Sequence, residues 1–186
     1  MKKKLVVVLI FGASLVLAAC GSSDSPATAS KFNKQDVTFA QQMIPHHRQA
    51  VEMAQLAETR ASSPEVKSLA LAIESAQDPE INKMTGWLKG WNKPVPDDSM
   101  SGMDHGSSGT MTGMMTDSEM TSLTGATGTA FDTMFLTMMI KHHQGAITMA
   151  NDELASGKSA DALALAKAIK SAQTSEISTM QGLLKK

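Results

Sequence analysis

The chain has 186 residues, 17 basic and 18 acidic side chains, and an aromatic content of only 4%. This near balance of charge argues against a nucleic-acid partner, which would need a basic surface. Because Cys20 is the single cysteine, no disulfide can form within the chain, and the core has to be built from Ala, Leu, Ile and Met.

The N-terminus has the pattern of a lipoprotein export signal. Lys2–Lys4 precede an apolar run over 5–17, which is shorter than the roughly 20 apolar residues that span a bilayer. The run ends in "LAAC", which resembles a lipobox. That resemblance implies that residues 1–19 are removed as a signal peptide and that Cys20 carries a lipid, which anchors the protein to a membrane outside the cytoplasm. Residues 20–34 are predicted to be a flexible tether.

The remaining chain, 35–186, is predicted to be all-α, because helix-favouring residues dominate and strand-like alternation is missing from the sequence. Ser63 and Pro64 have the pattern of an N-cap followed by the first residue of a helix. The predicted helices run from Asp36 to about Glu58, Pro64 to Lys89, Asp117 to Leu123, Thr129 to Ser156 and Ala160 to Leu184.

The two halves of this domain repeat each other with a constant offset of 96 residues (142 − 46). The segment "FAQQMIPHHRQAVEMA" over 39–54 matches "FLTMMIKHHQGAITMA" over 135–150. A repeat of this length indicates a duplicated unit. We therefore expect a first helical hairpin over 35–91, a long Met/Gly/Ser-rich crossover over 92–128, and a second hairpin over 129–186, which together form a four-helix bundle.

Four of the five histidines lie in the repeated motif, and methionines flank them at helical spacing. At about 100° per residue these side chains share one stripe of each helix. Neutral imidazole and thioether are the ligand pair that suits Cu(I). A bland alternative is that both residue types only pack in a core. The candidate ligands are Met43, His46, His47 and Met53 in the first copy, and Met139, His142, His143 and Met149 in the second.

The second helix of each hairpin places polar residues on its inward stripe. A buried carboxylate without a partner costs several kcal/mol, so Glu80 and Glu176 are expected either to orient an imidazole or to bind metal directly. Met84 and Met180 share the same stripes and are candidate ligands as well. A hydrogen-bond network that fixes the register of the helices remains an alternative. Asp36 and Asp132, in contrast, are expected to interact with helix dipoles rather than with metal.

The crossover contains methionines without helical periodicity, in the sequence "MSGMDHGSSGTMTGMM". Exposed methionine is uncommon because it is apolar and oxidisable. Thioethers still bind Cu(I) in an oxidising compartment, although a low-complexity linker is the alternative reading. The candidate ligands in this segment are Met103, His105, Met111, Met114 and Met115.

The pattern "F…M…HH…A…MA" followed by "Q..EI..M..WL", present twice over residues 33–186, resembles the bacterial domain-of-unknown-function family numbered 305. The resemblance implies a ferritin-like helical bundle and extracytoplasmic copper binding that contributes to copper tolerance. It also implies that the eight His and Met positions of the repeated motif correspond to the His and Met positions of that family. In the second copy Leu183 replaces the tryptophan found at Trp87.

The sequence thus predicts a membrane-anchored lipoprotein that sequesters or carries copper as Cu(I), with Cu(II), Ag(I) and Zn(II) left open as ligands. Its expected partners are the metal ion, the membrane through Cys20, and another copper-handling protein. Di-iron oxidases on such bundles need a Glu three residues before a His, and no histidine of this chain has one. An enzyme is therefore not expected. A metal-dependent redox enzyme and an envelope adaptor with a purely structural bundle are the rival hypotheses.

Overall fold

The computed structural model of the chain describes residues 31–97 and 111–186. Within these two ranges the chain forms five helices and no strand, so the predicted all-α class is confirmed. The predicted signal peptide, Cys20, most of the tether, Met103 and His105 lie outside the described residues. The helices are α1 Lys34–Arg60, α2 Pro64–Gly90, α3 Asp117–Gly125, α4 Gly128–Ser156 and α5 Ala160–Leu183.

Local sequence accounts for where several helices begin. Asn33 forms a capping box with Asp36 at the start of α1, and Ser63 caps α2 with Pro64 in its first turn. Ser159 accepts a hydrogen bond from the main chain of Ala162 at the start of α5. These side chains satisfy N–H groups that the first turn of a helix leaves without partners.

The helices form two antiparallel hairpins, α1 with α2 and α4 with α5, which pack against each other mainly through α1 and α4. Contacts between α2 and α5 are much less extensive. The two helices that carry the histidine motifs therefore form the centre of the bundle. In the described part of the chain, none of the helices is long and apolar enough to cross a membrane.

Two aspartates fasten the hairpins to each other. Asp36 accepts hydrogen bonds from the main-chain N–H groups of Lys158 (2.9 Å) and Ser159 (2.8 Å). Asp132 accepts the equivalent pair from the turn at 62–63 (3.1 and 3.0 Å). Both carboxylates thus interact with the start of the second helix of the opposite hairpin. These contacts place each carboxylate at the positive end of a helix dipole in the opposite hairpin, and Asp36 in addition caps its own helix.

The core consists of two apolar clusters with a polar layer between them. Phe131 and Phe135 anchor one cluster, whereas Phe39, Leu88 and Ile169 anchor the other. Along each of α1 and α4 the chain passes from one cluster to the other at the histidine pair. We call this band the histidine layer. It consists of His46, His47, Gln77, Glu80, His142, His143, Gln173 and Glu176.

Candidate metal centre

His46 on α1 and His142 on α4 meet at the centre of the bundle. Their ring centroids are 3.7 Å apart with an interplanar angle of 37°, and both residues are fully buried. Because the two residues are equivalent in the repeat, an approximate two-fold axis passes between their rings. Neither ring has a nitrogen with a hydrogen-bond partner among the described residues.

Both central imidazoles are neutral at physiological pH. Burial lowers the pKa of His46 to about 3, and the neighbouring His47 adds to this effect. Burial also lowers the pKa of His142 well below its usual value, helped by the nearby His46. A buried polar atom without a hydrogen-bond partner costs free energy. Native proteins therefore contain few such atoms, and those that persist often have a functional role. Each ring therefore has a free lone pair that a metal ion could accept.

The two outer histidines each contact a glutamate within their own hairpin. His47 Nε2 lies 2.7 Å from Glu80 Oε2, and His143 Nε2 lies 2.6 Å from Glu176 Oε2. The Nδ1 atoms of both rings are buried, with no partner in the described part of the chain. A carboxylate on one imidazole nitrogen fixes the ring so that the other can bind metal. Of the two roles predicted for the glutamates, this geometry matches the orienting one.

Two glutamines complete the polar band. Gln77 and Gln173 are each 3% exposed. Both amide atoms of Gln77, and Oε1 of Gln173, have no hydrogen-bond partner within the described ranges. The layer therefore has more buried donors and acceptors than it pairs internally, in both halves of the repeat.

The predicted methionines fall into two groups by their height along the bundle. Met43 and Met139 each stand three residues before a central histidine, within one helical turn of it. Met84 and Met180 follow the layer glutamates by four residues, so they border the layer in the same way. Met53 and Met149 are buried too, but each lies seven residues from the central histidine, roughly 10 Å along the helix. The structure does not bring this last pair into the same turn as the rings.

No three His, Cys, Asp or Glu side chains converge into a metal site of their own in the part of the chain that the structure describes. The two central imidazoles would need a ligand of another kind to complete the coordination of an ion. Thioethers border the layer on both sides. This donor set fits a soft ion better than a hard one.

The end of the crossover lies directly on this layer. We call residues 111–115 the strap. Gln49 accepts a hydrogen bond from the Met115 N–H (2.7 Å) and donates one to the Met115 carbonyl (2.9 Å). The strap packs so closely on Gly145 that a Cβ there would lie 2.0 Å from the carbonyl oxygen of Thr112. The main chain of Thr112 lies near enough to His46 to oppose in part the lowering of its pKa by burial.

Three candidate ligands of the crossover are therefore placed by the structure. Met115 is buried, whereas Met111 and Met114 are partly buried. The start of the crossover also approaches the layer, because Arg48 donates hydrogen bonds to the carbonyls of Pro96 (3.1 Å) and Asp97 (2.8 Å). The described ends of the crossover are thus held by Arg48 and Gln49, adjacent residues that follow His47.

Sequence reasoning missed Gln49 and Gly145. The two residues are equivalent in the repeat, 96 positions apart (145 − 49), but they differ in type. A search for residue types that both copies share therefore misses these two positions. A glycine inside a long helix was the available signal, because it often marks a close approach of another main chain.

Comparison with known proteins agrees with this fold. Residues 36–184 match the domain of unknown function DUF305. A candidate secreted DUF305 protein from Streptomyces coelicolor is 35% identical, with a TM-score of 0.72 over 81% of this chain and 91% of that chain. A DUF305 fragment from Deinococcus radiodurans is 31% identical, with a TM-score of 0.71 over 82% and 97%.

The chain is also similar to CopM in its Cu(II)-bound form, at 32% identity and a TM-score of 0.68 over 81% of this chain and 95% of that chain. CopM has been solved in Cu(I)-bound and Ag-bound forms as well. No curated protein sequence matches the chain significantly. The match to the family covers most of the chain, and both helical hairpins with their histidine motifs lie within it. The chain therefore belongs to the DUF305 family.

Proposed function

We propose that this protein binds copper as cargo outside the cytoplasm, and sequesters or carries it as Cu(I), through the histidine layer. The observation that carries the proposal is the buried pair of neutral imidazoles, His46 and His142, whose nitrogens have no partner among the described residues. The relation to CopM, which has been solved with copper and with silver, supports it.

In this proposal His46 and His142 share one ion. Two imidazole nitrogens bound to the same metal at about 2.0–2.1 Å stand no more than about 4 Å apart, and the two rings are already 3.7 Å apart between centroids. Met43 and Met139 are the nearest thioethers by helical spacing, with Met84 and Met180 beside the glutamates. The Nδ1 atoms of His47 and His143 provide further ligands, oriented by Glu80 and Glu176.

The donor types of the site favour a soft monovalent ion. The central rings are neutral and thioethers border the layer on both sides, whereas the two carboxylates are already paired with His47 and His143. Cu(I) accepts the mixed imidazole and thioether set, and Ag(I) shares this preference. Cu(II) and Zn(II) are therefore expected to bind more weakly.

We also propose that a lipid on Cys20 anchors the protein to a membrane after the signal peptide is removed. The sequence motif supports this, and a related chain is described as a candidate secreted protein. Intact mass spectrometry of protein from the membrane fraction tests the proposal. A mass that corresponds to a lipidated chain beginning at Cys20 is expected. The mass of an unmodified chain beginning at Met1 would contradict the proposal.

We propose that the protein is a binder rather than an enzyme. The two rival hypotheses predict different behaviour of the purified protein. A redox enzyme would turn over an oxidisable substrate when loaded with metal, and an envelope adaptor would capture a protein without binding copper tightly. Substrate turnover by the wild-type protein that is lost in the variant His46→Ala would overturn the proposal.

Anaerobic Cu(I) titration against a competing chelator tests copper binding directly. The wild-type domain is expected to bind tightly, and the double variant H46A/H142A to lose that binding. The matched control is Gln144→Ala, an exposed residue of the same helix, which should bind as the wild type does. Tight binding that survives in H46A/H142A would contradict the proposal.

A further inference from the structure

We infer that the strap closes the central histidine site and that Gln49 and Gly145 are positioning residues that hold it there. An ion would then enter or leave the layer only when the strap lifts from α4. This inference rests on the proposed function, because it concerns the exchange of the ion that the layer binds. The inference is nevertheless distinct from the proposed function, because binding at equilibrium does not require a closed strap.

Gly145 permits the closest approach in this region. A Cβ at this position would lie 2.0 Å from the Thr112 oxygen and 2.8 Å from Cα of Gly113. Both neighbours are main-chain atoms, so a side-chain rotation cannot relieve the overlap. Gly113 has a φ of +87°, a conformation that glycine adopts without steric cost. A glycine on each side thus allows the strap and α4 to touch.

Gln49 holds the strap from the opposite helix. Its side-chain amide pairs with both the N–H and the carbonyl of Met115, and both hydrogen bonds are buried. The residue itself is 2% exposed. A glutamine that satisfies both polar groups of one residue fixes the height and the direction of the strap at that point.

The position of these two contacts places the strap over the metal centre. Gln49 follows His46 by three residues, and Gly145 follows His142 by three, so each contact lies within one turn of a central ring. The strap therefore crosses from α1 to α4 at the approximate two-fold axis.

Both rings are fully buried with the strap in place, so an ion can reach or leave them only when a covering segment moves. The chain has a single crossover, so the strap has no counterpart generated by the repeat. The strap contacts both central helices within one turn of the two rings, which makes it the covering segment that we expect to move. Methionines 111 and 114, which are partly exposed, would be the first thioethers that an ion meets on leaving.

The variant Gly145→Ala tests the inference, because alanine favours the helix and disturbs only the strap. The matched control is Gly86→Ala in α2, where a Cβ would meet no atom within 4 Å. Release of Ag(I) to an excess of chelator is followed by stopped flow, and hydrogen exchange of the Met115 amide reports opening of the strap. G145A is expected to keep its helical content and metal stoichiometry, release metal at least tenfold faster, and exchange the Met115 amide faster. G86A should match the wild type in all four respects.

A second variant, Gln49→Leu, removes the strap's other contact and is expected to release metal at least tenfold faster with unchanged stoichiometry, also where G145A does not fold. The Met115 amide loses its acceptor in Q49L, so only its exchange in G145A reports opening of the strap. Faster Met115 exchange in G145A without faster release would overturn the inference, because the strap would then open without controlling the ion. Unchanged release in both variants would overturn it as well. A wild type that binds no Ag(I) or Cu(I) would instead contradict the proposed function.

Discussion

The two hairpins of this protein are alike in the histidine layer and different at several contacts outside it. Both contribute a central histidine, a histidine–glutamate pair, a buried glutamine and an aspartate that reaches the opposite hairpin. Around this shared set, residues at equivalent positions diverge. The comparison shows that equivalent residues are kept in the histidine layer, whereas several contacts outside it differ between the two hairpins.

The clearest difference concerns Glu153, which is fully buried. Burial and the neighbouring Asp36 raise the pKa of Glu153 to about 8. Burial alone would raise the pKa of Asp36, but N–H donors from Asn33, Ser159 and Lys158 outweigh it and lower that pKa. The first hairpin has Ala57 at the position equivalent to Glu153. Only the second hairpin therefore carries a proton at this junction near neutral pH.

Removal of one central histidine at a time is expected to have the largest effect and tests whether the two halves share an ion. H46A and H142A should each weaken Cu(I) binding by more than the roughly 10- to 100-fold typical of losing a residue that merely orients a ligand. The two losses should be equal, because both rings bind the same ion. Chelator competition measures the affinities. If each variant instead retained half of the tightly bound copper, the hairpins would hold separate ions.

The histidine–glutamate pairs give the next largest effect. Glu80→Gln and Glu176→Gln keep the size of each side chain but remove the charge that orients His47 or His143. Each variant is expected to lower Cu(I) affinity by about 10-fold or more, by the same factor in both hairpins. The exposed Glu52→Gln serves as the control. Two variants with wild-type affinity would show that these pairs only fix the packing of the helices.

The junction between the hairpins should affect stability rather than binding. Asp132→Ala leaves the main-chain N–H groups at 62–63 without their acceptor, which should cost about 1–3 kcal/mol. Urea unfolding of the metal-free protein measures this cost. Asp152→Ala, an exposed residue of the same helix, should change stability by less than about 0.5 kcal/mol. A similarly small change for D132A would mean that water replaces the carboxylate.

The effect most specific to the second hairpin is a dependence on pH. The folded protein keeps the Glu153 proton up to about pH 8, whereas the unfolded chain releases it near the ordinary pKa of 4.5. This contribution to stability is therefore complete below pH 4.5 and is lost as the pH rises to about 8. Glu153→Gln cannot lose a proton, so its stability relative to the wild type should increase between pH 5 and 8 by up to a few kcal/mol.

Urea unfolding of the wild type and E153Q at several pH values measures that difference. Comparing the two proteins cancels the titration of the histidines, which both contain. Ala57→Ser, at the equivalent position of the first hairpin, should leave the pH dependence of the wild type unchanged. A constant difference between wild type and E153Q across this range would contradict a raised pKa for Glu153.

Much of this organisation follows from local sequence, and the rest depends on tertiary contacts. The repeat predicts the hairpins and the inward face of the histidines, since helical periodicity is a property of each segment alone. It does not distinguish Met43 from Met53, because projection onto a helical wheel discards height along the axis. The docking of the strap on Gln49 and Gly145 could not be predicted, because it joins segments that share no pattern. The same holds for the hydrogen bonds that Asp36 and Asp132 accept from the opposite hairpin.

Anomalous diffraction from crystals soaked anaerobically in Ag(I) or Cu(I) tests the central claim most directly. We predict a strong peak between His46 and His142, within about 2.0–2.4 Å of an imidazole nitrogen from each hairpin, with the rings turned out of their stacked arrangement. Peaks confined to methionines at the surface, with the two rings still stacked and no density between them, would contradict the account.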